Sequence, residues 1–122
     1  NHMRSLIFTT GLPPVILNWS NFVLKKCAGM DDRRNHLATL AEYLRNAIRE
    51  QGYATGGTSQ IVPQIVGDDQ KAVELAQKYQ DAGILVFPIR HPTVPKGTAR
   101  LRFSLSAALD LNSVEEAAKA CR

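Results

Sequence analysis

The chemistry-bearing residues of this chain concentrate between Arg90 and Arg102, where Arg90, His91, Lys96, Arg100 and Arg102 occur with no acid among them. From Arg100 to Ser106 the residues alternate. Leu101, Phe103 and Leu105 share one face of a strand, and Arg100, Arg102, Ser104 and Ser106 share the other. An arginine held on a strand is a preformed fork for a carboxylate, because its planar guanidinium offers parallel donors. Just upstream, Thr93 is stiffened within Pro92-Thr93-Val94-Pro95 and could offer its hydroxyl to the same ligand. On pattern alone a solvated basic edge strand with a proline turn is the more ordinary reading of the same residues. Thr9 and Thr10 precede Gly11 at a helix start, where free N–H groups and the helix dipole attract phosphate. Pro13 and Pro14 remove two of those donors and weigh against that use.

Other chemistries find no support. His2, His36 and His91 lack metal-ligand spacing, and Cys27 and Cys121 form no C-x-x-C pair, so no metal site is expected. Both cysteines fall on predicted apolar stripes and read as small core residues. No Ser-His-Asp set, glycine-rich phosphate loop or carboxylate pair can be assembled.

The elements that must position Arg102 follow from periodicity and punctuation. Arg4 to Thr10 is β-prone. Pro13 and Pro14 suit the first turn of a helix to about Ala28, with Leu12, Val15, Ile16, Trp19, Val23 and Cys27 as its stripe. A second helix, capped by Asp31 or Asp32, carries Leu37, Leu40, Ala41, Leu44 and Ile48 and stops at Gly52. Arg33, Arg34, Arg45 and Arg49 on it, with Glu42 and Glu50, read as a solvated face. A small-residue loop from Thr55 to Ser59 leads to a strand over Ile61 to Val66, with Pro63 marking an edge or bulge. Asp68 or Asp69 caps a third helix with Val73, Ala76 and Tyr79 inward, ended by Gly83. Ile84 to Ile89 is apolar throughout and reads as a strand buried on both faces. Ser113 and Glu116 form a capping box for a last helix with Val114, Ala117, Ala118 and Cys121 inward. The order α-α-β-α-β-β-α predicts an α+β fold, a small, mainly antiparallel sheet with helices packed on one face.

The 122 residues suffice for one domain; 44% hydrophobic and 21% charged residues exclude disorder and low complexity. No apolar run approaches the ~20 residues of a membrane helix, and no secretory leader pattern opens the chain. A soluble, cytoplasmic chain with no membrane partner is expected. The net charge of +4 invites nucleic acid, but the polar strand face offers no aromatic on which bases could stack. A small anion- or nucleic-acid-binding module is therefore the weaker class, and no nucleic acid is expected.

Three segments taken together resemble the α-oxoamine synthases, pyridoxal-phosphate enzymes of fold type I. They are Phe8-Thr9-Thr10-Gly11-Leu12-Pro13-Pro14, Ser59-Gln60-Ile61-Val62-Pro63, and His91-Pro92-Thr93-Val94-Pro95-Lys96-Gly97-Thr98-Ala99-Arg100-Leu101-Arg102. The likeness runs in order from about Asn1 to Leu109. The third segment favours the branch acting in biotin biosynthesis over the aminoketobutyrate ligases. It departs from the family at His91, where proline is common. The resemblance implies an enzyme that condenses L-alanine with pimeloyl-CoA, or a pimeloyl carrier thioester, with decarboxylation.

The resemblance also implies roles for particular residues. Arg102 matches the arginine that pairs with the amino-acid carboxylate, and Thr93 the threonine of the substrate loop. Thr9 and Thr10 match a segment that reaches the cofactor phosphate of the neighbouring subunit in a homodimer. Family members are about three times longer and carry a Schiff-base lysine in a Ser/Thr-rich, glycine-flanked motif. None of the six lysines here sits in such a motif. Residues 1–122 thus read as the small C-terminal domain of such an enzyme without its large lysine-bearing domain, inactive alone.

Overall fold

The computed structural model describes residues 11–120. The β-prone segment from Arg4 to Thr10, with Thr9 and Thr10, and Cys121 lie outside the described residues. Seven elements follow in the expected order: α1 (Pro14–Ala28), α2 (Asp31–Glu50), β1 (Ile61–Gly67), α3 (Asp69–Asp81), β2 (Phe87–Ile89), β3 (Ala99–Ser104) and α4 (Leu111–Ala120). They fall into two compact units, one up to Asp31 and one from Asp32 onward.

The first unit is built on α1. Pro13 and Pro14 open it, and the Pro13 carbonyl accepts from the amides of Ile16 and Leu17 at 2.9 and 3.3 Å. Lys25 and Lys26 sit in the last turn, where the helix dipole favours cations. None of its residues is buried, and Cys27 is exposed. The expectation that Cys27 is a core residue is therefore corrected: among the described residues of this unit, α1 has no second element against which its stripe packs.

The second unit is an α+β layer, as expected. Its three strands are all antiparallel in the order β1-β3-β2, so β3 is central. Leu101 and Phe103 of β3 and Val62 of β1 turn inward to meet Leu40, Leu44 and Ile48 of α2, Ala76 and Tyr79 of α3, and Val114 of α4. Tyr79 is fully buried; its ring meets Phe103 edge-on at 5.2 Å and its hydroxyl donates to Gln64 Oε1 at 3.1 Å. That bond allows a phenol and an amide into an apolar core.

Glycine ends two of the helices as foreseen. Gly52 and Gly83 adopt φ of 84° and 81°. Tyr53 N–H reaches the Ile48 carbonyl (3.2 Å) and Ile84 N–H the Tyr79 carbonyl (2.8 Å), the six-to-one bond of a Schellman end. Asp68 caps α3, accepting from the Lys71 amide at 2.9 Å. Pro63 sits on the edge strand β1, whose register slips between Ile65 and Gly67.

Several local expectations are revised. α2 begins at Asp31, which places both aspartates in its first turn. On α3, Ala72 is buried with Ala76 and Tyr79, while Val73 is half-buried. α4 starts before Ser113: the Asp110 carboxylate accepts from the Ser113 amide at 2.9 Å and its hydroxyl at 2.6 Å. An aspartate three residues ahead of Ser113 forms the cap instead of the serine. The run from Ile84 to Ile89 is not buried on both faces. Only Phe87–Ile89 forms a strand, at a sheet edge, and Leu85 and Phe87 are 74% and 52% exposed. The helices cover one face of the sheet, and among the described residues of this unit no element covers the other.

Candidate functional site

The uncovered face of the sheet is set by register. Residues paired across antiparallel strands share a face, so Pro63 and Phe87 flank Arg102, while Ile65 and Ile89 flank Arg100. Two cations thus stand on β3 between apolar side chains of both edge strands. Their alkyl stems can lie on that apolar surface while the guanidinium heads stay in water.

A groove of about 400 Å³ opens on this face. Ile61, Pro63 and Ile89 supply its apolar part, Gly56, Gly57 and Ser59 border it from the loop before β1, and Thr93, Arg100 and Arg102 bring the polar groups. The two residues proposed from sequence for carboxylate binding, Arg102 and Thr93, therefore line one groove, although nine positions apart. Among the described residues the Arg102 side chain makes no hydrogen bond or ion pair, and no acid lines the groove. Its fork is open to an external anion.

The loop carrying Thr93 is closed by its own hydrogen bonds. Val94 N–H donates to the Arg90 carbonyl at 3.3 Å, and Thr98 donates to the Pro95 carbonyl from its amide (3.2 Å) and hydroxyl (2.7 Å). Arg100 Nε donates to the Thr98 carbonyl at 3.0 Å, tying the loop's end to the strand. The His91–Pro92 peptide bond is cis.

Behind the groove, sequence reasoning missed Arg45. It is 3% exposed, and the expected solvated face of α2 is corrected at this position. The signal was present: Arg45 stands four residues after Ala41 and three before Ile48, both on the buried stripe. Its Nη1 pairs with Glu42 Oε2 at 3.3 Å, and its Nη2 donates to the Ser59 carbonyl. Glu42 also accepts from Arg49 at 3.2 Å. Hydrogen bonds from Arg49, and secondarily Arg45, hold the Glu42 carboxyl below its ordinary value.

The groove suits a small organic acid with an apolar body: two guanidinium groups and a hydroxyl for the carboxylate, proline and isoleucine for the rest. It contains no lysine to form an imine and no acid to face a pyridine nitrogen. The described groove residues therefore fit the carboxylate of a substrate and do not by themselves fit pyridoxal phosphate.

The model of the aminotransferase class I and II family matches residues 1–121. The chain belongs to this family. Within the class I and II aminotransferases it is similar to the 8-amino-7-oxononanoate synthase of Chlorobaculum parvum, with 44% identity over 94% of this chain and 29% of that protein. The synthase of Haemophilus ducreyi is 46% identical over 89% of this chain and 28% of that protein. Among solved structures, a Sphingomonas wittichii serine palmitoyltransferase superposes with a TM-score of 0.80 at 32% identity, over 93% of this chain and 29% of that one. An 8-amino-7-oxononanoate synthase from Francisella tularensis superposes at 0.78 and 25% identity, over 93% and 33%. The chain thus spans under a third of the length of the curated relatives it matches. The resemblance to fold type I pyridoxal-phosphate enzymes, and to the α-oxoamine synthases among them, stands.

Proposed function

We propose that this chain is the small C-terminal domain of an 8-amino-7-oxononanoate synthase, a pyridoxal-phosphate-dependent acyltransferase. The enzyme would condense L-alanine with pimeloyl-CoA, or a pimeloyl carrier thioester, with loss of carbon dioxide, as a cytoplasmic homodimer in biotin biosynthesis. Identities of 44% and 46% to synthases of that name support this branch. The observation that carries the reading is the open guanidinium of Arg102 beside Thr93 in one acid-free groove. Arg102 binds the alanine carboxylate through paired N–H donors, and Thr93 hydrogen-bonds the same group. Holding the carboxylate fixes how the substrate's Cα bonds are turned, so Arg102 contributes orientation as well as affinity. One hydroxyl of the pair Thr9 and Thr10 would serve the cofactor phosphate of the neighbouring subunit, as the family resemblance implies. The lysine and the pyridine-nitrogen partner come from a large domain outside these residues.

The test uses the full polypeptide that carries this sequence. Condensation of L-alanine with pimeloyl-CoA is expected only with pyridoxal phosphate. Arg102→Ala should lower kcat/KM for alanine by about 100-fold or more, the order of effect expected when a substrate carboxylate loses the charged fork that binds and orients it. Turnover of glycine with acetyl-CoA in place of this pair would move the protein to the aminoketobutyrate ligase branch. A salt-dependent shift with oligonucleotide and no response to amino acids would overturn the enzyme reading.

A further inference from the structure

We propose that Arg45 is a positioning residue for the groove, holding the loop that borders Arg102 through the carbonyl of Ser59. The inference rests on the reading of Arg102 and Thr93 as a carboxylate site. Arg45 does not line the groove; Gly56, Gly57 and Ser59 do. That stretch is held by two ties. At one end the Thr55 hydroxyl donates to the Pro63 carbonyl of β1 at 2.5 Å. At the other, Arg45 Nη2 donates to the Ser59 carbonyl, and the Ser59 hydroxyl accepts from the Ile61 amide at 3.2 Å. Gly57 sits between the ties at φ 77°, without a side chain to anchor it. Beyond the groove-bordering residues, the Gln60 carbonyl accepts from the Leu105 amide at 3.1 Å, so the Ser59 tie is what holds the bordering stretch itself.

The cost of placing an arginine there argues for the same role. Arg45 is buried next to Leu44, with Ala41 and Ile48 on the same face, and its Nε has no hydrogen-bond partner. Burying a guanidinium with one donor unpaired is unfavourable, and a well-packed apolar side chain is often at least as stabilising. A methionine could fill this space. It could not donate to a carbonyl on a loop fourteen residues away.

The experiment compares wild type, Arg45→Met, Arg45→Lys and Arg102→Ala in the full polypeptide, by amide hydrogen exchange and by steady-state kinetics with L-alanine. With Arg45→Met, exchange should rise about tenfold or more across residues 56–60 while the amides of Leu44 and Leu101 keep their protection. KM for alanine should rise about tenfold with kcat changed much less, the size of effect a small misplacement near a binding group produces. Arg45→Lys, which keeps a charge but not the fork, should give the same pattern at smaller amplitude, and it carries the test if the methionine variant does not fold. Exchange rising equally in the loop and at Leu44 and Leu101, with kinetics per folded molecule unchanged, would reduce Arg45 to a fold-supporting residue and overturn the proposal. So would an unchanged KM in both Arg45 variants beside a crippled Arg102→Ala. An unchanged KM in Arg102→Ala itself would instead remove the carboxylate site on which the inference rests.

Discussion

At the scale of single residues, what separates Arg102 from the other arginines is the company that β-sheet register gives it. Arg45 and Arg49 share Glu42, and Arg100 spends its Nε on Thr98. Arg102 stands between Pro63 and Phe87 with its donors uncommitted. Arg102→Lys should therefore be an informative companion to the alanine variant. It preserves the charge but loses the parallel donors, and kcat/KM for alanine should fall about tenfold, less than for Arg102→Ala. A lysine variant as damaged as alanine would mean that fork geometry, and not charge, supplies nearly all of the effect. Asp110 makes a second residue-scale case. Hydrogen bonds from Ser113, side chain first and then backbone, hold its carboxyl below the ordinary value of 3.8. Its folded pKa is depressed, so the capping contribution is present above 3.8 and is lost as pH falls below that value through the folded pKa. Asp110→Asn should lower the Tm at pH 6 and bring wild type and variant together in strong acid. A difference in Tm that persists unchanged below that window would show that the carboxylate charge is not involved.

The elements show how local chemistry and packing divide the work. Helix ends were readable because their determinants are local: Gly52 and Gly83 stop α2 and α3, and Asp68 caps α3. At Gly83 a Cβ would meet nothing within 4 Å, so a side chain there is penalised by φ of 81° alone. Gly83→Ala should cost about 1 kcal/mol, the penalty for a left-handed alanine, and Gly83→Asn less, by thermal or urea unfolding. Equal losses for both would point to a contact and not to backbone conformation. The capping box at Ser113 failed for a reason of the same kind. Asp110, Ser113 and Glu116 offer two overlapping caps, and the aspartate secures the earlier start. Ile84 to Ile89 failed differently. An apolar run reports that its residues can be buried, and the sheet decides which are: Val86 is 1% exposed, whereas Leu85 and Phe87 remain bare.

For the whole molecule, the bare apolar groups fall in both units. Leu85, Phe87 and Ile61 are exposed in the second, and Val15, Leu17, Trp19, Phe22 and Leu24 on α1 in the first. No described helix is long and apolar enough to cross a membrane. Exposed patches of this kind favour association. The 122-residue chain by itself should scatter light as an oligomer, or precipitate, over the micromolar range. A monomer independent of dilution would contradict this. The proposed large domain and partner subunit are the natural covers for these surfaces, and the full polypeptide should accordingly be better behaved than the chain alone.

The sequence by itself determined the element order, the α+β class, the proline start of α1, the glycine stops and the alternation that puts Arg102 and Leu101 on opposite faces of β3. All of these depend on residues within a few positions of one another, where backbone conformation, capping and side-chain period act. Likeness of motifs over most of the chain carried the family, which no local rule could. Only the tertiary structure decided that Thr93 and Arg102 line one groove, that Gly56, Gly57 and Ser59 border it, and that Arg45 is buried behind Ser59 and not solvated on its helix. These facts depend on how a strand, a proline loop and a helix meet across distant stretches of chain. The free energy that brings them together is burial of the core around Leu44, Leu101 and Tyr79.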